Sequence, residues 1–351
     1  MHQYLNSRNV DIKQMTTDIT QIKKMKYSHS IGLCTMEGRG FMFPVDTTFS
    51  NDGRMHTVSR AYSAVPRNLR VTVYDTNGEF YGIYGGYGDE LGQFRWPSSI
   101  TTDSFGDIYI SDEKNNRINV YDINGNPKKF WGTTGTNPGE LDGPSGICFN
   151  QNNELLVSDH KNNRIQKFTS DGTFISLFGN ETDENINLNL PWGITVSPSN
   201  HIYVADWGNH QIAKFSEKGE LINRFGNLGT ADGEFKNPSS VAVDKKDNLY
   251  VADWGNERVQ ILDSNGNWIE TLRGEATLSK WGEEFMEANQ EEAEPRSRSN
   301  LEPEISQFNQ DPHEESAHIE KLFWGPVSIK LDKDETLYIT ESNRHRIQVY
   351  K

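Results

Sequence analysis

The chain has 351 residues, a formal charge of −15 and 34% hydrophobic residues, with 30 Gly, 17 Phe, 13 Tyr and 8 Trp. A net negative surface repels phosphate backbones, which argues against general nucleic-acid binding. No apolar run approaches the roughly eighteen residues of a membrane span, and the opening residues lack the apolar core of a secretion signal, so a cytoplasmic protein is expected.

Residues 1–26 are polar and without clear periodicity, and they predict a tail or short cap. From Tyr27 to Cys34 the run YSHSIGLC predicts a strand. Then a fixed period takes over. YISDEKNNRINVY at Tyr109, LVSDHKNNRIQKF at Leu156, YVADWGNHQIAKF at Tyr203 and YVADWGNERVQIL at Tyr250 stand 47 residues apart. Pro97, Pro144, Pro191 and Pro238 keep the same step, as do Gly78, Gly125, Gly172, Gly219 and Gly266. Asn or Asp before most of these glycines predicts two-residue hairpin turns. Four strands fit each period, which predicts an all-β chain of four-stranded antiparallel blades arranged as a β-propeller. The blades begin near Pro44, Pro97, Pro144, Pro191, Pro238 and Pro326, giving six.

Two spacings depart from the rule. Pro44 to Pro97 is 53 residues, with the extra length in Arg60 to Leu69, and Pro238 to Pro326 is 88. The second excess marks an acidic insert, residues 275–322, between blades five and six, whose composition predicts a flexible or partly helical excursion. The propeller is therefore expected over residues 27–351. The last blade stops at its third strand, Arg346 to Tyr350, and an open blade would leave an exposed edge. The strand at Tyr27 is expected to close it as the outer strand of the last blade.

The pattern Pro-x-x-Ile followed by Leu-Tyr-Val-Ala-Asp-x-x-Asn-x-Arg-Ile-x-x-Phe resembles the NHL repeat. It is close in blades two to five, carries Glu341 for the repeated Asp in blade six and is loose in blade one. The resemblance implies a six-bladed propeller. It leaves activity open, because NHL-type propellers include protein-binding and RNA-binding modules, sensor domains and a zinc-dependent amidating lyase. Lyases of that type place zinc-binding His residues directly after the Pro that opens an inner strand. The matching positions here are Ser98, Ser145, Trp192, Ser239 and Val327, and none is His. No cofactor or metal site is expected on that ground, although a calcium or other divalent ion on backbone carbonyls of the channel stays open. Cys34 and Cys148 fall at unrelated points of the repeat and are expected to be buried free thiols.

Strand alternation puts the loop between strands two and three on the same face as the loop leading to the next blade. On this upper face the residue after the repeated acid varies: Glu113, His160, Trp207, Trp254 and Ser342. Arg60 and Tyr62 lie in the long first-blade loop, and Trp96, Trp192 and Trp324 stand beside the prolines. Glu113, His160, Trp207, Trp254, Trp192 and Arg60 are the candidate ligand-binding residues, suited to a flat apolar or sugar-like surface. The repeated Asp112, Asp159, Asp206 and Asp253, with Arg117, Arg164 and Arg258, are expected to be scaffold, since a catalytic group needs no copy in every blade. The expectation is a monomeric, non-catalytic binding module that takes a protein segment or small molecule on its upper face. The alternative is a metal-dependent hydrolase or lyase with its site at the central channel.

Overall fold

The computed structural model describes residues 24–35, 37–61, 68–180, 187–304 and 311–351. Most of the N-terminal tail, and the part of the first-blade loop that includes Tyr62, lie outside the described residues. The strands follow the repeat. The chain enters through β1 (Tyr27–Ile31), then builds blade one from β2 (Pro44–Phe49), β3 (Arg54–Ser59), β4 (Arg70–Asp75) and β5 (Phe80–Tyr84). Blade two is β6 (Pro97–Thr102), β7 (Ile108–Asp112), β8 (Arg117–Tyr121) and β9 (Pro127–Trp131). Blade three is β10 (Pro144–Phe149), β11 (Leu155–Asp159), β12 (Arg164–Phe168) and β13 (Phe174–Phe178). Blade four is β14 (Pro191–Val196), β15 (Ile202–Asp206), β16 (Gln211–Phe215) and β17 (Leu221–Phe225). Blade five is β18 (Ser240–Val243), β19 (Leu249–Asp253), β20 (Arg258–Leu262) and β21 (Trp268–Leu272). Blade six takes β22 (Pro326–Leu331), β23 (Leu337–Glu341) and β24 (Arg346–Tyr350), and its fourth strand is β1, antiparallel to β24. The molecule is thus a six-bladed propeller whose last blade is completed by the N-terminal strand.

The hairpin loops between third and fourth strands are one residue longer than the sequence suggested. In blade two the Asp122 N–H donates to the Asn126 carbonyl at 2.9 Å and the Gly125 N–H to the Asp122 carbonyl at 2.9 Å. Three residues therefore lie inside the loop, with Gly125 at φ 81° in the bulge position that favours glycine. The missing Cβ does a second job. The last residue of four outer strands lies over the turn glycine of the next blade: Tyr84 over Gly125, Trp131 over Gly172, Phe178 over Gly219 and Phe225 over Gly266. The same rings meet the next blade's third strand, with centroids 5.0 Å apart for Tyr84 and Tyr121, Trp131 and Phe168, and Phe178 and Phe215. These aromatic seats between blades form much of the core, so blade order is held by side chains while each blade holds itself by its ladder.

At the seam where blade six meets blade one, β1 ends in Ile31, so no aromatic stands at the last position of the outer strand. The insert supplies one. Its first helix, α1 (Lys280–Ala288), is capped by the Ser279 side chain and places Trp281 over Gly78, only 1% exposed, against Phe41 and Tyr74. Helices α2 (Gln290–Arg298) and α3 (Pro312–His318) follow. Both thiols are unpaired, yet Cys34 is exposed in the turn after β1 and Cys148 is half-buried, so the expectation of buried cysteines fails for Cys34. Among the described residues, no helix is long and apolar enough to cross a membrane.

Candidate functional site

The repeated acid sits at the end of every second strand, where the chain must turn and leave backbone N–H groups behind. Asp159 accepts from the Asp142 N–H at 2.7 Å, Asn162 Nδ2 at 2.9 Å, Arg164 Nε at 2.7 Å and Gln166 Nε2 at 2.9 Å. Asp253 repeats the set with Lys236, Asn256, Arg258 and Gln260. Asp206 keeps the Asn189 N–H, with Gln211 and Arg224 in place of the repeat arginine. Burial pushes these three carboxyls above the ordinary range, and the donors around each act against it. The guanidiniums are spent on carbonyls of the preceding interblade loop, as Arg164 is on Thr136, Asn137 and Glu140. Asp112 differs, taking the Arg95 and Trp96 N–H groups but no bond from Arg117, which keeps only the loop carbonyls of Asp89, Glu90 and Gln93.

A latch that sequence reasoning missed joins the blades at the same level. The residue before the repeated arginine position is in the left-handed region: Asn116, Asn163, His210, Glu257 and His345 have φ between 50° and 57°. Each side chain accepts the backbone N–H of the residue before the next blade's opening proline. The pairs are Asn116 with Gly143 at 2.7 Å, Asn163 with Leu190 at 2.8 Å, His210 with Asn237 at 3.0 Å, Glu257 with Gly325 at 2.6 Å and His345 with Phe43 at 2.9 Å. Asn, His and Glu share only an acceptor atom, so their changing identity hid the constraint. Blade one has Leu69 at this place, and Arg60 bridges to blade two instead, its Nε on the Pro97 carbonyl at 2.8 Å and Nη2 on Ser98 Oγ at 3.0 Å.

With the corners and latches assigned, the remaining upper-face groups form a patch over blades one to four. Arg60 lies over the Trp96 ring at 4.7 Å and 3.8 Å from Glu113, which is 3.7 Å from Lys161 on the other side. These separations are ion pairs longer than hydrogen bonds. His160 meets the Trp192 ring edge-on at 4.9 Å, and its Nδ1 is buried with no partner among the described residues. Burial lowers the His160 pKa, with Glu113 opposing, and pulls Arg60 down to about 10, again against Glu113. Arg60, Glu113, His160 and Trp192 therefore belong to one region. Trp207 and Trp254 stand on the next two corners, outside this network, with Trp254 39% exposed.

The insert adds a third arrangement near the rim. His313 of α3 meets Glu257 Oε1 through Nδ1 at 2.6 Å and accepts from the Trp324 indole through Nε2 at 3.3 Å. A Glu-His pair usually suggests proton transfer, but here both imidazole nitrogens are committed and the pair tethers α3. Among the described residues, no three His, Cys, Asp or Glu side chains gather as a metal-holding group.

The fold and corners define an NHL-type propeller, and the family model agrees. The NHL repeat model matches residues 141–168, 188–215, 235–262 and 323–350, and the chain is an NHL-repeat β-propeller. No curated protein sequence matches it. Among solved structures, virginiamycin B lyase from Staphylococcus aureus is similar at 16% identity, over 93% of this chain and 99% of that chain, with a TM-score of 0.53. A catalytically inactive form of that lyase with quinupristin gives 0.55, again at 16% identity, with 93% and 99% covered. A structural genomics protein of unknown function from Bacteroides thetaiotaomicron reaches 0.60 at 14% identity, covering 93% of this chain and 76% of that one. At these identities the likeness is one of fold.

Proposed function

We propose that this propeller is a non-catalytic binding module whose ligand docks on the upper face over blades one to four. The observation that carries the reading is the contrast within each corner. Its repeated acid is saturated by scaffold donors, while the next residue is released to build Glu113 and His160 into a patch with Trp96, Trp192 and Lys161. Aromatic faces beside loosely spaced charges suit a flat or sugar-like group, either free or carried by a protein segment. Arg60 acts from behind, since its Nε and one Nη2 donor already hold blade two.

The full chain should be screened on arrays of glycans and short peptides beside the double variant Glu113→Gln, His160→Ala. Hits lost in the variant and recovered chemically unchanged after incubation support the reading. Hits bound equally by both proteins would remove the patch from it, and a consumed ligand would remove the non-catalytic part.

A further inference from the structure

A cavity lies beneath the upper patch and meets it only at its upper end, through Ser98 and Trp192. It occupies the central channel, about 560 Å³, and its mouth is formed by the turns between first and second strands, such as Asn150-Gln151, Ser197-Pro198 and Asp332-Lys333. No corner residue lines it. At the upper end the inner strands draw together, because a Cβ on Gly146 would stand 2.3 Å from the Trp192 carbonyl and one on Gly193 2.6 Å from the Ser239 carbonyl. Side chains tie that rim from blade to blade, with Ser145 Oγ on the Pro191 carbonyl at 3.0 Å and Ser239 Oγ on the Pro326 carbonyl at 3.1 Å.

Inside, the walls are small residues with one ion pair. Lys330 Nζ lies 3.3 Å from Asp46. The carboxylate is otherwise saturated by the Thr47 and Ile100 N–H groups and the Ser99 and Ser328 hydroxyls. An ammonium has three donors, and only one of those on Lys330 is committed within the described residues. Thr101 and Thr195 also line the cavity with hydroxyls that no described residue engages, and Val196, Val243 and Leu331 add apolar surface. The carboxylates at the mouth are turned onto loop N–H groups, Asp244 onto Lys246 and Asn248 of its own loop and Glu335 onto Lys245 of blade five. Cys148 is a spectator, its thiol pushed up to about 12 by burial.

We propose that the lower part of the channel is a second binding site, for a small neutral polyhydroxylated molecule of the sugar or polyol class. The size falls within the range of small-molecule sites, roughly 300–1,000 Å³. Because Asp46 already balances Lys330, a charged guest would bring an uncompensated charge into the lumen, whereas a neutral polyol exchanges hydrogen bonds with Lys330, Thr101 and Thr195 and lays its C–H faces on the aliphatic wall.

Saturation-transfer NMR on the full chain, with glucose and myo-inositol as neutral probes and acetate as the charged one, tests this. The expected result is transfer to at least one polyol in the wild type and equally in the Glu113→Gln, His160→Ala variant, which keeps this site separate from the upper patch. Affinity should fall at least about tenfold in Thr101→Val, Thr195→Val, a nearly isosteric change that leaves the ion pair in place. Lys330→Met should abolish transfer where the variant folds. Transfer to neither polyol, transfer undiminished in the threonine variant, or stronger transfer to acetate would overturn the proposal.

Discussion

Trp281 of the insert donates its indole N–H to the Gly78 carbonyl of blade one at 2.6 Å, across 203 positions of sequence. The ring thereby takes the seat that Tyr84, Trp131, Phe178 and Phe225 fill between other blades. The propeller is closed twice, by β1 pairing on β24 and by a side chain from an acidic insert. Ser279 reinforces the closure through a hydrogen bond to the Gly32 carbonyl.

Truncating that ring should be among the costliest single changes in the molecule. Trp281→Ala is expected to lose about 3–5 kcal/mol through lost burial and the cavity left behind. Trp281→Phe keeps most of the packing and strands the Gly78 carbonyl, at about 1–3 kcal/mol. Denaturant titration of both variants checks the order; an alanine variant as stable as the wild type would mean the insert does not close the ring.

The same seam carries a pH dependence. His345 Nδ1 accepts the Phe43 N–H, which requires the neutral ring, and burial lowers its pKa from 6.5 to about 4. A histidine depressed in the folded state binds fewer protons there than when unfolded, so its contribution is fully present above pH 6.5 and is lost as pH falls toward 4. The loss amounts to roughly 3 kcal/mol. His56, also lowered to about 4 by burial, acts in the same direction. His345→Asn installs the acceptor used by Asn116 and Asn163, and it should match the wild type at neutral pH while losing less stability on acidification. Melting curves across pH 7 to 4 show whether the two profiles diverge in that sense.

Blade two offers a stabilising change. Gln166 and Gln260 each accept from a loop glycine N–H, Gly139 and Gly233, and donate to the carbonyl after it, at Glu140 and Glu234. Asn119 occupies the matching place, one methylene shorter, and both its amide atoms are buried without partners among the described residues. Asn119→Gln should reach the loop and gain about 1 kcal/mol. A neutral or destabilising result in denaturant titration would show that the irregular Asp112 corner prevents the reach.

The blades were readable in the sequence because each must repeat the same turn and inward-facing residues, and β1 was readable because a propeller cannot leave one blade short. The latches were not, since Asn163, His210 and Glu257 satisfy one N–H with different chemistry. Trp281 was hidden for another reason: its partners, Phe41, Tyr74 and Gly78, are distant in sequence and its neighbours are acidic. On the upper face the corner variability singled out Glu113 and His160, but which of the six candidates share a patch depends on blade position around the ring. The Asp46–Lys330 pair was invisible because each residue is a lone exception at its place in the repeat.

Whether the corner positions Glu113 and His160 of blades two and three form the ligand site is tested by titration calorimetry of an array-selected ligand. The comparison sets Glu113→Gln, His160→Ala against Trp207→Ala, Trp254→Ala, with melting temperatures taken in parallel. The account predicts a loss of at least about tenfold in affinity for the first variant, a smaller loss for the second, and little change in melting for either. Undiminished binding by the first variant, or a loss confined to the second, would contradict it.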